Sequence, residues 1–106
     1  MADIVITDAD GNRDVAARAG DTLAVQLPEN PTTGYRWVQS ALDRNILESI
    51  GDDFQTSAQT GVGAGGLHVF RFTAKRTGNS RIEFKLARAW EAGPPKALFS
   101  VAVKVA

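Results

Sequence analysis

Apolar and polar residues alternate along this chain with a period of two, and that pattern constrains the fold more than any other feature. In 22–27, Leu23, Val25 and Leu27 alternate with Thr22, Ala24 and Gln26. In 35–40, Tyr35, Trp37 and Gln39 share one face, and in 68–74 His68, Phe70, Phe72 and Ala74 do. In 81–87, Ile82, Phe84 and Leu86 oppose Arg81, Glu83 and Lys85, and in 97–105 Phe99, Val101, Val103 and Val105 align. Successive side chains of a strand point to opposite faces, so the pattern predicts strands with one buried and one wet face. Weaker signals of the same kind fall at 4–7, 15–18, 46–50 and 54–57. Trp37, in phase with Tyr35, is expected in the core or beneath a loop.

Turn chemistry agrees. Asp10-Gly11-Asn12, Ala19-Gly20-Asp21 and Thr77-Gly78-Asn79 separate the apolar runs, and only 42–47 has the makings of a helical turn. About seven or eight short strands at regular spacing predict an all-β fold, an antiparallel immunoglobulin-like β-sandwich. The 106 residues fit a single domain over 1–106, which buries roughly 60–70% of the unfolded chain's surface.

Composition excludes several functions. There is no Cys, hence no disulfide, thiolate metal site or thiol nucleophile. Lys plus Arg and Asp plus Glu both number 12, which argues against a nucleic-acid binder, since that requires surplus cations to neutralise phosphates. No stretch approaches the ~20 apolar residues of a membrane span, and the first residues do not resemble a signal peptide. A soluble monomer without cofactor or metal is expected, its compartment left open. Acids are in excess over 1–60 and bases over 61–106. Interleaved strands are expected to scatter these charges; the alternative is a basic face that steers an acidic partner.

Three segments break the alternation: 28–34, 59–66 and 88–95. With 46–58 taken as one kinked strand, they are the first, third and fifth connections of an antiparallel series. Such connections alternate between ends, so all three fall at one end, as binding loops do on other sandwiches. Pro28 and Pro31 stiffen the first loop, and Gly34 permits a left-handed conformation before the strand resumes. A stiff loop loses little entropy on binding. The second spells G-x-G-x-x-G at Gly61, Gly63 and Gly66, but a strand rather than a helix follows, which excludes a dinucleotide site. In the third, Trp90 lies among charges and a Gly-Pro-Pro turn, where a binding anchor or a ring folded over the sandwich edge would serve.

Catalytic groups are scarce. His68 is the only imidazole and sits in phase with core phenylalanines, as a partly buried strand residue does. Asp52-Asp53 reads as a solvated turn, lacking the spaced oxygen donors of a calcium loop.

Asn30-Pro31-Thr32-Thr33-Gly34-Tyr35 followed by Trp37, then Gly63-Ala64-Gly65-Gly66, then Arg88-Ala89-Trp90, resembles the three-motif signature of the chagasin-like inhibitors of cysteine peptidases. One departure is Ala89, where the family commonly has Pro. The resemblance implies a sandwich whose three loops dock reversibly and non-covalently onto papain-like cysteine peptidases. It implies that 30–34 enters the active-site cleft, with Thr32 and Thr33 nearest the catalytic cysteine, while 63–66 and 88–90 grip the flanks. The alternative is a sandwich module that binds another protein or a carbohydrate.

Overall fold

The computed structural model describes residues 3–8, 11, 13–29, 34–56, 66–88 and 93–106. Among these lie eight strands: β1 (Asp3–Thr7), β2 (Asp14–Ala17), β3 (Thr22–Glu29), β4 (Arg36–Ala41), β5 (Leu47–Thr56), β6 (Gly66–Ala74), β7 (Gly78–Ala87) and β8 (Ala97–Val105). They form two four-stranded sheets, ordered β1-β3-β6-β5 and β2-β8-β7-β4.

The alternating faces account for the packing. Leu23, Val25 and Leu27 of β3 and Phe70, Phe72 and Ala74 of β6 meet Ile82 and Phe84 of β7 and Phe99, Val101, Val103 and Val105 of β8. Phe84 lies at the centre, with ring centroids 4.6 Å from Phe70, 6.4 Å from Phe72 and 6.2 Å from Phe99. Burial of these rings and branched chains is the main force holding the sheets together. The six strands from β3 to β8 pair antiparallel, as the alternation implies. The two N-terminal strands add in parallel, β1 to β3 and β2 to β8. Since β3 and β8 run in opposite directions, the chain reverses as it passes from β1 in one sheet to β2 in the other.

Within the segment 46–58, β5 (Leu47–Thr56) is one strand with a kink, as the loop placement requires. Register shifts between Ser49 and Gly51, so Ile50 is an extra residue in the ladder, and Gly51 takes φ +131°, a value that favours glycine. The shift reverses the phase: Asp52 and Phe54 lie opposite the inward-facing Phe70 and His68. Asp52 and Asp53 are therefore strand residues, not the solvated turn expected from sequence.

Strands of the two halves interleave as expected, β6 joining β1, β3 and β5, and β2 and β4 joining β7 and β8, and both faces carry both signs, though in unequal numbers. Residues in outward phase on the first sheet include Asp3, Glu48 and Asp53 against Arg71. On the second they are Arg36, Arg81, Lys85 and Lys104 against Asp14 and Glu83. The outward acids of the first sheet come from β1 and β5, in the acidic half of the chain, and the outward bases of the second come from β7 and β8, in the basic half, together with Arg36 of β4.

Candidate functional site

Register places the three long connections. Glu29 and Thr56 both pair with Gly66, so 30–35 and 57–65 leave the first sheet at one end. Arg36 pairs with Ala87 and Leu86 with Ala97, so 88–96 leaves the second sheet at that same end. The connections at 18–21, 42–46 and 75–77 occupy the other end, where the backbone closes through bonds such as Gly20 N–H to Ala74 O at 2.8 Å and Lys75 N–H to Ile46 O at 2.7 Å.

Of the expected site residues, Gly34, Tyr35, Gly66 and Arg88 are described. Asn30, Pro31, Thr32, Thr33, Gly63, Ala64, Gly65 and Trp90, together with Ala89, lie outside the described residues. Pro28 belongs to β3 rather than to the loop, which shortens the first connection. Gly34 has φ +79°, the left-handed conformation expected for it. Gly66 is the first residue of β6 and pairs with strands on both sides.

Two contacts clamp the base of the first loop. The Glu29 carboxylate accepts the backbone N–H of Trp37 at 2.9 Å, and the Trp37 indole N–H donates to the Pro28 carbonyl at 2.8 Å. These bonds cross from the first sheet to the second and join the two ends of the loop. Glu29 is 7% exposed and Trp37 8%, so neither bond competes freely with water. Trp37 is thus both core residue and loop support.

Sequence reasoning missed what lies behind that clamp. The second Glu29 oxygen is 2.7 Å from His68 Nδ1, and the other ring nitrogen is 2.6 Å from an Asp52 oxygen. The arrangement suits an imidazolium, whose two N–H groups donate to both carboxylates. The ring stacks on Phe70, centroids 4.1 Å apart and planes 14° from parallel. A row from β4 through β3 and β6 to β5 is tied together just below the loops. Glu29, Arg36, Phe54 and His68 line a small cleft of about 170 Å³ beside it. Both carboxylates engage the ring itself, and among the described residues no group of three His, Asp or Glu is placed to hold a metal ion.

Beyond the bulge, Arg71 donates to the Asp53 carboxylate. That hydrogen bond is the main cause holding the Asp53 carboxyl below the usual range; desolvation opposes it, and a bond from Gln55 and the charges of Arg71 and His68 add smaller effects in the lowering direction.

The first and third loops meet at Tyr35. The Arg88 guanidinium carbon lies 4.3 Å and the Lys96 ammonium 4.6 Å from the centre of its ring, distances at which a cation is attracted to the ring's electron density. The Lys96 N–H also bonds to the Leu86 carbonyl at 2.7 Å, which fixes where the third connection rejoins the sheet.

Known proteins are similar to this chain in sequence and in fold. The chain is 26% identical over 102 residues to amoebiasin-1 of Entamoeba histolytica, covering 94% of this chain and 97% of that protein. It is 27% identical over 90 residues to chagasin of Trypanosoma cruzi, covering 80% and 81%. In fold it is similar to the crystal structure of a cysteine protease inhibitor from Entamoeba histolytica, with a TM-score of 0.91, 21% identity and coverage of 100% and 97%. The model of the chagasin family of peptidase inhibitors, I42, matches residues 16–105. The family acts on peptidases as inhibitors rather than as enzymes. The chain belongs to the chagasin family of peptidase inhibitors.

Proposed function

We propose that this chain, as one inhibitor domain, blocks papain-like cysteine peptidases reversibly and without a covalent bond. It does so by laying the three loops at one end of the sandwich across the active-site cleft. The observation that carries this reading is the register, which brings all three connections to one end with the first clamped at its base. In this reading the first loop, Asn30 to Tyr35, is the wedge, with Thr32 and Thr33 against the catalytic cysteine. Gly63, Ala64, Gly65 and Gly66 on one side and Arg88 and Trp90 on the other hold the flanks. Because Pro31 stiffens the wedge, no well-aligned scissile carbonyl is offered and the loop escapes cleavage.

A tight-binding titration against papain tests the function. Stoichiometric loss of peptidase activity is expected, with the inhibitor recovered intact; no inhibition at micromolar concentration overturns the reading. The residue assignments have their own test. Thr32→Ala, Thr33→Ala and Trp90→Ala are each expected to raise the inhibition constant, and the assignment fails if all three leave it unchanged. Trp90 should cost most, on the order of 2 kcal/mol if it is a buried anchor of the interface.

A further inference from the structure

One outer face of the sandwich runs into the loop end as a basic flank. On the second sheet, Val38 pairs with Lys85 and Lys85 with Leu98, so the three stand side by side across β4, β7 and β8. Val38 is 46% and Leu98 75% exposed. Arg36 lies one outward position nearer the loops on β4, and Lys96 directly precedes β8. Arg88 and Lys96 converge on the same Tyr35 ring, at 4.3 and 4.6 Å, so cations gather at this corner of the loop end. Among the described residues, the nearest carboxylate on this face is Glu83, one outward position farther from the loops than Lys85. Across the sandwich, the outward phase of the first sheet carries Asp3, Glu48 and Asp53 against Arg71. Among the described strand residues, the outward phases of the two sheets thus differ in sign, bases prevailing on the second and acids on the first.

From this arrangement we infer that the flank formed by Lys85 and Lys96, with Val38 and Leu98 beside them, is a second contact area for the target peptidase. Its partner surface is a border of the active-site cleft rich in Asp and Glu, on the side that receives the third loop. The inference rests on the inhibitory reading above and specifies which peptidases are captured fastest. The cations of the flank, which lie nearest such a border, turn the inhibitor about the loop axis as it approaches by local attraction, while charges farther along the face are screened. This reduces the orientational search that limits protein association. The steering acts over about 10 Å at 0.1 M salt, and the exposed apolar pair supplies the short-range contact once the flank arrives.

Stopped-flow association with a papain-like peptidase chosen for a carboxylate-lined cleft border, at low and moderate salt, tests the inference. Two double variants carry the same change in net charge: Lys85→Glu with Lys96→Glu at the loop end, and Arg81→Glu with Lys104→Glu farther along the same face. The first is expected to associate roughly tenfold more slowly at low salt, with a flattened salt dependence, and the second to stay within about twofold of the unaltered chain. Equal slowing of both, or slowing of neither, overturns the flank while leaving the inhibitory function standing. Failure of the unaltered chain to inhibit overturns both. Thermal melts of the two variants confirm that the fold is intact.

Discussion

Glu29 and Trp37 face each other across the gap between the two sheets, the carboxylate of one accepting the backbone N–H of the other at 2.9 Å. This bond, with the indole-to-Pro28 bond beside it, makes the first loop a closed span rather than a strap between independent sheets. Glu29→Ala leaves a buried N–H and the His68 ring without their acceptor, at an expected cost of about 1–3 kcal/mol in stability. Glu29→Gln keeps an oxygen for Trp37 and should cost less. Urea unfolding measures both. Amide exchange should speed up around 34–37 in the alanine variant, and the inhibition constant should rise more than with Gln. Equal effects of Ala and Gln would show that the carboxylate position contributes nothing beyond bulk.

Gly34 tests how far the loop's shape depends on one backbone angle. With φ at +79°, an L side chain meets the following carbonyl, at about 1–2 kcal/mol. Gly34→Ala is expected to lose that much stability or to weaken inhibition by moving the loop; Gly34→Asn, which tolerates the left-handed region, should lose less. A crystal structure or matched unfolding curves with no difference between Ala and Asn would argue that the chain relaxes to another conformation freely.

Tyr35 links the two loops through Arg88 and Lys96. Tyr35→Phe preserves a ring for both cations and should leave inhibition close to that of the unaltered chain. Tyr35→Leu removes the ring, at about 0.5–1 kcal/mol per exposed cation, and should weaken inhibition by freeing Arg88. If Phe and Leu behave alike, the ring face is not what positions the third loop.

Asp53 provides a pH signature. Its folded-state carboxyl titrates below the usual range because Arg71 donates to it. A lowered folded value means a stabilising contribution that is present above the unfolded carboxylate's pKa of about 3.9 and is lost as pH falls through the lower folded value. Both groups are well exposed, so the contribution is small. NMR titration should show Asp53 moving up toward the ordinary range in Arg71→Ala; no movement would assign the shift to another cause.

Most of the framework was legible in the sequence because both sheets bury one face and wet the other, so side-chain parity reports directly on packing. Phe70, Phe72, Phe84, Phe99 and the β8 valines were readable for that reason, and loop placement followed from counting strands. What was not legible lies where parity carries a polar residue inward. Glu29 continues the phase of Leu23, Val25 and Leu27, but Pro28 beside it read as the start of a loop, and a carboxylate is an improbable core residue until its partners are known. Asp52 reaches His68 only because the extra residue at Ile50 shifts the phase of β5, and a bulge leaves little trace besides Gly51. The unequal division of charge between the sheets follows from strand order, which depends on which strands cross over.

The two parallel N-terminal strands have a consequence for association. β1 lies along the outer edge of β3 and β2 along that of β8, so one short stretch of chain occupies the edges of both sheets on the same side of the sandwich. Without it, β3 and β8 would present open ladders of backbone donors and acceptors on strands rich in valine and leucine, the kind of edge that recruits another strand. Loss of residues 3–17 should therefore appear first as strand-mediated self-association, with the chain stitching to copies of itself before the core gives way.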